Sequence, residues 1–169
     1  TCPQVFTLAN EFLDTNHKAD DWFLQVESFD PHEPFFAPSR FRENYPTDYQ
    51  GPTLDWPKYA RVNESKEEAD EIRANYSALV AMCDENLGRL LDKFDELDLW
   101  KDTALVLTSD HGFLLGEHEW WGKNLAPVYD EIARIPLMVY HPETAQQGGT
   151  RRQSLTQVTD LMPTFMEWF

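Results

Sequence analysis

Thr103–Lys123 reads TALVLTSDHGFLLGEHEWWGK, and this stretch decides the fold class. Thr103–Thr108 is short, partly β-branched and uncharged, the composition of a strand covered on both faces. Asp110 and His111 follow at its carboxyl end, where open α/β sheets bind ligands in the crevice beyond the strands. Gly112 then lets the backbone turn at once. A carboxylate beside an imidazole supplies half of a cation site, and Lys123 adds a compact positive charge for an anion.

Outward from this stretch the elements alternate. Toward the amino end, Val5–Asn16 has helical apolar spacing and Trp22–Phe29, WFLQVESF, reads as a strand. Pro31–Val62 keeps no period and carries Pro31, Pro34, Pro38, Pro46, Pro52 and Pro57, so a long ordered loop is expected. Ser65 with Glu68 forms a capping box, and Ile72, Tyr76, Leu79, Val80, Cys83, Leu87, Leu90, Leu91, Phe94 and Leu97 continue the helix behind it. Toward the carboxyl end, a short helix is predicted within Pro127–Arg134, a second apolar strand at Ile135–Tyr140, a turn at Gly148–Gly149 and a helix start in Thr159–Phe169. This order predicts an α/β layered fold with a largely parallel sheet flanked by helices. Residues 1–169 form a single region with no internal boundary. The opening at Thr1 and the apolar end suggest a partial domain, excised from something longer.

With 169 residues and 41% apolar side chains, the chain can bury a real core. Thirty acidic against fourteen basic residues give a net charge of −16, which argues against nucleic acid or an anionic membrane as the main partner. Much of the excess lies between Glu64 and Asp102, interleaved with helical apolar positions, the pattern of a solvated helix face. An anionic substrate would meet an unfavourable overall field, so a metal and a few local cations have to reverse it inside the site. Two cysteines, Cys2 and Cys83, are too few and too far apart in sequence for a disulfide framework or a zinc motif, and Cys83 falls on the apolar stripe. No run approaches the roughly 20 apolar residues of a membrane span.

The DHG step, followed by GEHEWWGK and EIARIPLMVYHP, resembles the sulfatase family within the alkaline phosphatase superfamily. FLQVESFDPHEPF at Phe23–Phe35 and TDLMPTF at Thr159–Phe165 extend the resemblance, in order, over nearly the whole chain. It implies a sulfuric ester hydrolase in which Asp110 and His111 are metal ligands, His111 standing where many sulfatases carry asparagine. It also implies calcium, while the donor chemistry admits magnesium or manganese. Lys123, in Trp-Gly-Lys, matches the family lysine that binds the oxygens of the transferred group and can neutralise charge growing on them. His32, within Pro-His-x-Pro, matches the histidine near the bridging ester oxygen and can serve the departing alkoxide. Both are therefore expected to be catalytic and substrate-binding. His118 lies in the matched stretch with no role that its spacing demands, and packing is expected for it, as for His17 and His141. Phe35, Phe36, Phe41, Tyr45, Tyr49, Trp56 and Tyr59, with Trp120 and Trp121, either rim a sugar or aryl group or pack the long loop onto the sheet.

At one point the chain departs from the family. The family nucleophile, a Cys or Ser in Cys/Ser-x-Pro-x-Arg matured to formylglycine, has no counterpart here. Phe36-Ala37-Pro38-Ser39-Arg40 imitates its right-hand side with an unreactive Phe36 in the decisive place. Asp20-Asp21 imitates the paired metal-binding aspartates but precedes a strand instead of following one. The formylglycine is accordingly expected outside this chain, and the chain alone is expected to be inactive. The expected substrate of the intact protein is a small-molecule or carbohydrate sulfate ester. The alternatives are a phosphonate monoester or phosphodiester hydrolase of the same superfamily, and a non-catalytic binding or scaffold fragment.

Overall fold

Ser65 and Glu68 open the longest element in the computed structural model, which describes residues 1–168. The Glu68 N–H donates to the Ser65 hydroxyl at 3.2 Å, and the Ser65 N–H donates to the Glu68 carboxylate at 2.8 Å, so the predicted capping box forms. The first helix, α1, spans Cys2–Asn16 and begins earlier than its apolar spacing predicts, with Pro3 tolerated in the first turn. Helix α2 is the short Ser39–Arg42, inside the loop, and helix α3 is Lys66–Glu96.

Helix α3 organises the core. Its Ala69, Ile72, Ala78, Leu79 and Met82 meet Cys2, Phe35, Phe41 and Trp121 in one buried cluster. Its far end, Leu90 and Phe94, closes with Ala9, Leu13 and Leu99 in a second. The two cysteines are remote in sequence but neighbours here. Burial pushes the Cys83 thiol up to about 12, and its hydrogen bond with Cys2 adds to the rise.

The long loop is tied to α3 by Arg42, which donates to the Asn75 carbonyl oxygen at 2.7 Å and to the Glu71 carboxylate at 2.5 Å. Thr47 also donates its hydroxyl proton to Glu71. The Phe35 N–H donates to the Asp55 carbonyl at 2.6 Å, so the excursion between them is closed at its neck.

Among the described residues four strands follow: β1 (Leu105–Thr108), β2 (Leu114–Leu115), β3 (Trp121–Gly122) and β4 (Leu137–Tyr140). Between the last two lies α4 (Asp130–Ala133), and α5 (Leu161–Trp168) ends the described chain. Phe169, the last residue of the expected terminal helix, lies outside the described residues. β1 pairs antiparallel with β4, from Leu105↔Tyr140 to Thr108↔Leu137, and β2 pairs antiparallel with β3. The α/β layering matches the expectation, but both ladders among the described residues are antiparallel. β1 is half-buried along its length instead of covered on both faces.

The physical reason lies in the segment Trp22–Phe29. It alternates as a strand would, Trp22, Leu24 and Val26 inward and Phe23, Gln25 and Glu27 outward, yet it joins no ladder among the described residues. An extended backbone gives the alternation, while a strand also needs a hydrogen-bonded neighbour.

Candidate active site

Ser109 carries the chain out of β1, and Asp110 accepts the His111 N–H at 2.9 Å on Oδ1, a local turn that aims both side chains beyond the strand end. The His111 ring is oriented by its own neighbour: Nδ1 lies 2.9 Å from the Gly112 carbonyl oxygen and donates to it, which leaves Nε2 as the lone-pair nitrogen, 3.4 Å from Asp110 Oδ2. Gly112 is required there by space. Its N–H donates to the Ile132 carbonyl at 2.8 Å, and an added Cβ would stand 1.8 Å from the Glu131 carbonyl oxygen.

Asp110 and His111 supply a carboxylate oxygen and an imidazole nitrogen with its other N–H already engaged, the arrangement a histidine ligand ordinarily has. Desolvation works to raise the Asp110 carboxyl, but the backbone N–H and ring of His111 and the charge of Lys123 outweigh it and hold the group below the usual carboxylate range. The pair fits a hard or borderline cation as two of its ligands. Among the described residues no group of three or more His, Cys, Asp or Glu converges on one point. Asp20 and Asp21 sit exposed in the turn after α1.

Lys123 and His32, 91 residues apart, are brought together, with Nζ 2.8 Å from Nε2. His32 Nδ1 lies 2.8 Å from the Glu33 carbonyl oxygen and donates to it, so Nε2 presents its lone pair to the ammonium. The His32 ring also leans on Phe29, with centroids 4.3 Å apart. Lys123 is presented by Gly122, whose φ of +97° suits glycine and whose missing Cβ would stand 2.7 Å from the Tyr59 ring. Tyr59 reaches that place because the loop runs beside β3. The Trp121 N–H donates to the Ala60 carbonyl and the Val62 N–H to the Glu119 carbonyl, both at 2.9 Å.

An aromatic floor joins the pieces. Phe113, next after Gly112, meets Phe35 edge to face at 5.5 Å and Tyr59 at 5.7 Å, and Phe35 meets Tyr76 at 5.2 Å. The aromatics expected either to rim a ligand or to pack the loop therefore divide. Phe35, Phe41 and Trp121 are buried, Tyr59 lies beneath the site, and Phe36 and Trp56 remain exposed.

Sequence reasoning passed over Glu33, which is 2% exposed and accepts the Tyr59 hydroxyl proton on Oε1. The signal was a carboxylate between the two prolines of the His32 motif, in a loop expected to be ordered. His118 is better held than expected. It stacks on Tyr129 with centroids 3.8 Å apart and lies 3.1 Å from a Glu131 carboxylate oxygen. His17 caps α1 through the Leu13 carbonyl, and His141 accepts the Glu143 N–H.

The sequence profile of the sulfatase family matches residues 3–169. An N-acetylglucosamine-6-O-sulfatase of Bacteroides thetaiotaomicron is 37% identical over 94 residues, covering 56% of this chain and 16% of that protein. An uncharacterized sulfatase of Escherichia coli K12 is 33% identical over 179 residues, covering 96% of this chain and 35% of that protein. Among solved structures, the phosphonate monoester hydrolase of Agrobacterium radiobacter superposes with a TM-score of 0.77 at 24% identity, covering 98% of this chain and 38% of that one. That likeness shows an alkaline phosphatase-like fold, of which this chain is a part. The chain spans less than two-fifths of the length of each of these proteins.

Proposed function

This chain belongs to the sulfatase family, and from that premise we propose that the whole protein hydrolyses sulfuric esters, with Lys123 and His32 beside the ester oxygens and Asp110 and His111 as cation ligands. The observation that supports this best is convergence: His32 touches Lys123 at 2.8 Å, and the charge of Lys123 reaches Asp110. Lys123 is suited to hold sulfuryl oxygens and to offset the charge that builds on them in the transition state. His32 stands next to it, placed to deliver a proton from Nε2 to a departing alkoxide, the N–H electron pair staying on the ring. Asp110 and His111 would hold a divalent ion, calcium first with magnesium or manganese as alternatives, which when bound supplies Lewis-acid polarisation of an oxyacid oxygen. In this reading the remaining ligands and the formylglycine nucleophile lie in the part of the protein outside this chain. The chain alone then binds metal weakly and does not turn over.

A carbohydrate sulfate ester is the proposed substrate class, supported by the N-acetylglucosamine-6-O-sulfatase relative. The test is the whole protein assayed on aryl sulfate, sulfated sugar, aryl phosphonate monoester and phosphodiester, with and without chelator. Sulfate turnover should dominate, vanish on chelation and return with calcium. Asp110→Ala and Lys123→Ala should each lower kcat by about 100-fold or more with little change in Tm, the scale of losing one pre-organised charge at a transition state. Unchanged turnover in Asp110→Ala removes the metal assignment. A preference for phosphonate or phosphodiester establishes the alternative activity, for which the same charge arrangement serves. No turnover of any substrate with metal restored favours a binding or scaffold role.

A further inference from the structure

We infer that Glu33 is a positioning residue for His32: its buried carboxylate, gripped by Tyr59, stands behind Nδ1 and fixes which imidazole nitrogen faces Lys123. The inference rests on the reading of His32 as the group beside the leaving oxygen. Glu33 is 2% exposed, and its two oxygens have different surroundings. Oε1 takes the Tyr59 hydroxyl proton, whereas Oε2 accepts no hydrogen bond and lies 3.3 Å from His32 Nδ1. A carboxylate buried this deeply with a bare oxygen is costly unless a charge can come to it. The imidazole is the group within reach.

In the neutral ring, Nδ1–H already has the Glu33 carbonyl at 2.8 Å, so the carboxylate has little to add beyond excluding the other tautomer. When the ring takes a second proton, it becomes a cation with Glu33 Oε2 behind it and the Lys123 ammonium in front. Glu33 offsets that crowding of positive charge and leaves Nε2–H aimed forward. When Nε2 gives its proton to the departing oxygen, that N–H bond breaks, an O–H bond forms, and the ring keeps Nδ1–H toward Glu33. Lys58 lines the same cleft as Glu33 and Tyr59, with its charge acting on Glu64, and the acidic groups nearby are occupied. Asp30 Oδ2 accepts the Cys2 N–H at 2.7 Å, Asp110 accepts from His111, and Tyr59 is engaged with Glu33. Burial pushes the Tyr59 phenol well up, and the hydrogen bond to the nearby Glu33 carboxyl pushes it further. Tyr59 thus serves both arms of the site, its hydroxyl holding Glu33 behind His32 and its ring lying under Gly122 before Lys123.

The test uses the whole protein and the variants E33Q, E33D and Y59F, with two readouts: the tautomer of His32 from imidazole 15N shifts, and the pH–rate profile on esters of graded leaving-group basicity. The amide introduced by E33Q can turn an N–H toward Nδ1, so this variant should shift His32 toward the Nε2–H tautomer. Its basic limb of kcat should move about one pH unit lower, the scale of losing one facing charge. The loss should reach about tenfold for alkyl esters and be smaller for activated aryl esters, with KM little changed. E33D should keep most of the wild-type profile, and Y59F should move in the same direction as E33Q by less. An unchanged tautomer and an unmoved basic limb in both E33Q and Y59F overturn the inference. A changed tautomer with an unchanged rate profile upholds the hold of Glu33 on His32 and overturns the leaving-group reading of His32. If E33Q fails to fold, Y59F carries the same two outcomes.

Discussion

Gly122 shows how a single residue fixes a charge in space. Its positive φ turns the chain at the end of β3, and its bare Cα lets the Tyr59 ring lie against it. Gly122→Ala asks for a conformation that L side chains rarely adopt and puts a Cβ only 2.7 Å from the Tyr59 ring, so Lys123 should be displaced from His32. The expected outcome in the whole protein is a fall in kcat/KM of at least about tenfold, since a misplacement of about 1 Å can cost 100-fold. Steady-state kinetics beside a melting curve separates this from unfolding. His32, Asp110, His111 and Lys123 could be singled out in the sequence because each sits in a short motif that resembles the family's. Glu33 and Tyr59 were not, because their importance comes from a meeting across the loop that no local spacing encodes.

Among the elements, α3 was the most legible and the small ladders the least. A capping box and a sustained 3.6-residue stripe are local signals, and both ends of α3 follow from them. Ser65→Ala should lower stability by about 1 kcal/mol, read from denaturant midpoints at constant m. Strand pairing is not local: Trp22–Phe29 has the right alternation and no ladder, while β2 and β3, two residues each, had no period to show.

The tie between α2 and α3 carries a pH dependence. Burial acts to raise the Glu71 carboxyl, but the Thr47 hydroxyl, Arg42 and Asn75 outweigh it and hold the group below its ordinary 4.5. A carboxyl depressed in the folded state adds stability that is fully present above its unfolded value and is lost as pH falls through the folded one. Glu71→Gln should therefore be less stable than the parent near neutrality, by about 1–3 kcal/mol for a half-buried charged hydrogen bond. The difference should shrink below about pH 4.5. Melting curves from pH 7 to pH 3 check it, and a gap constant across that range would contradict the assignment.

At the scale of the whole molecule, the β1–β4 ladder is unfinished on both faces of β4. Met138 and Val139, on opposite faces of the strand, are 61% and 53% exposed, and Met162 and Met166 of α5 are exposed as well. An apolar surface of this kind invites association. The 169-residue chain alone should bind a dye such as ANS and self-associate in light scattering, whereas the whole protein should do neither. Weak dye binding by the isolated chain would contradict this. The α/β class was legible from the order of elements, but two antiparallel ladders are all that the described residues form.

The Phe35–Asp55 hydrogen bond cinches the long loop directly behind the motif that carries His32. Within the excursion so closed, the stretch Gln50–Thr53 is exposed. Loop closure grows only slowly more costly with added length. This exposed stretch is therefore the place where residues can be spliced in, and a new recognition arm grafted, with the Phe35–Asp55 clasp left between it and His32.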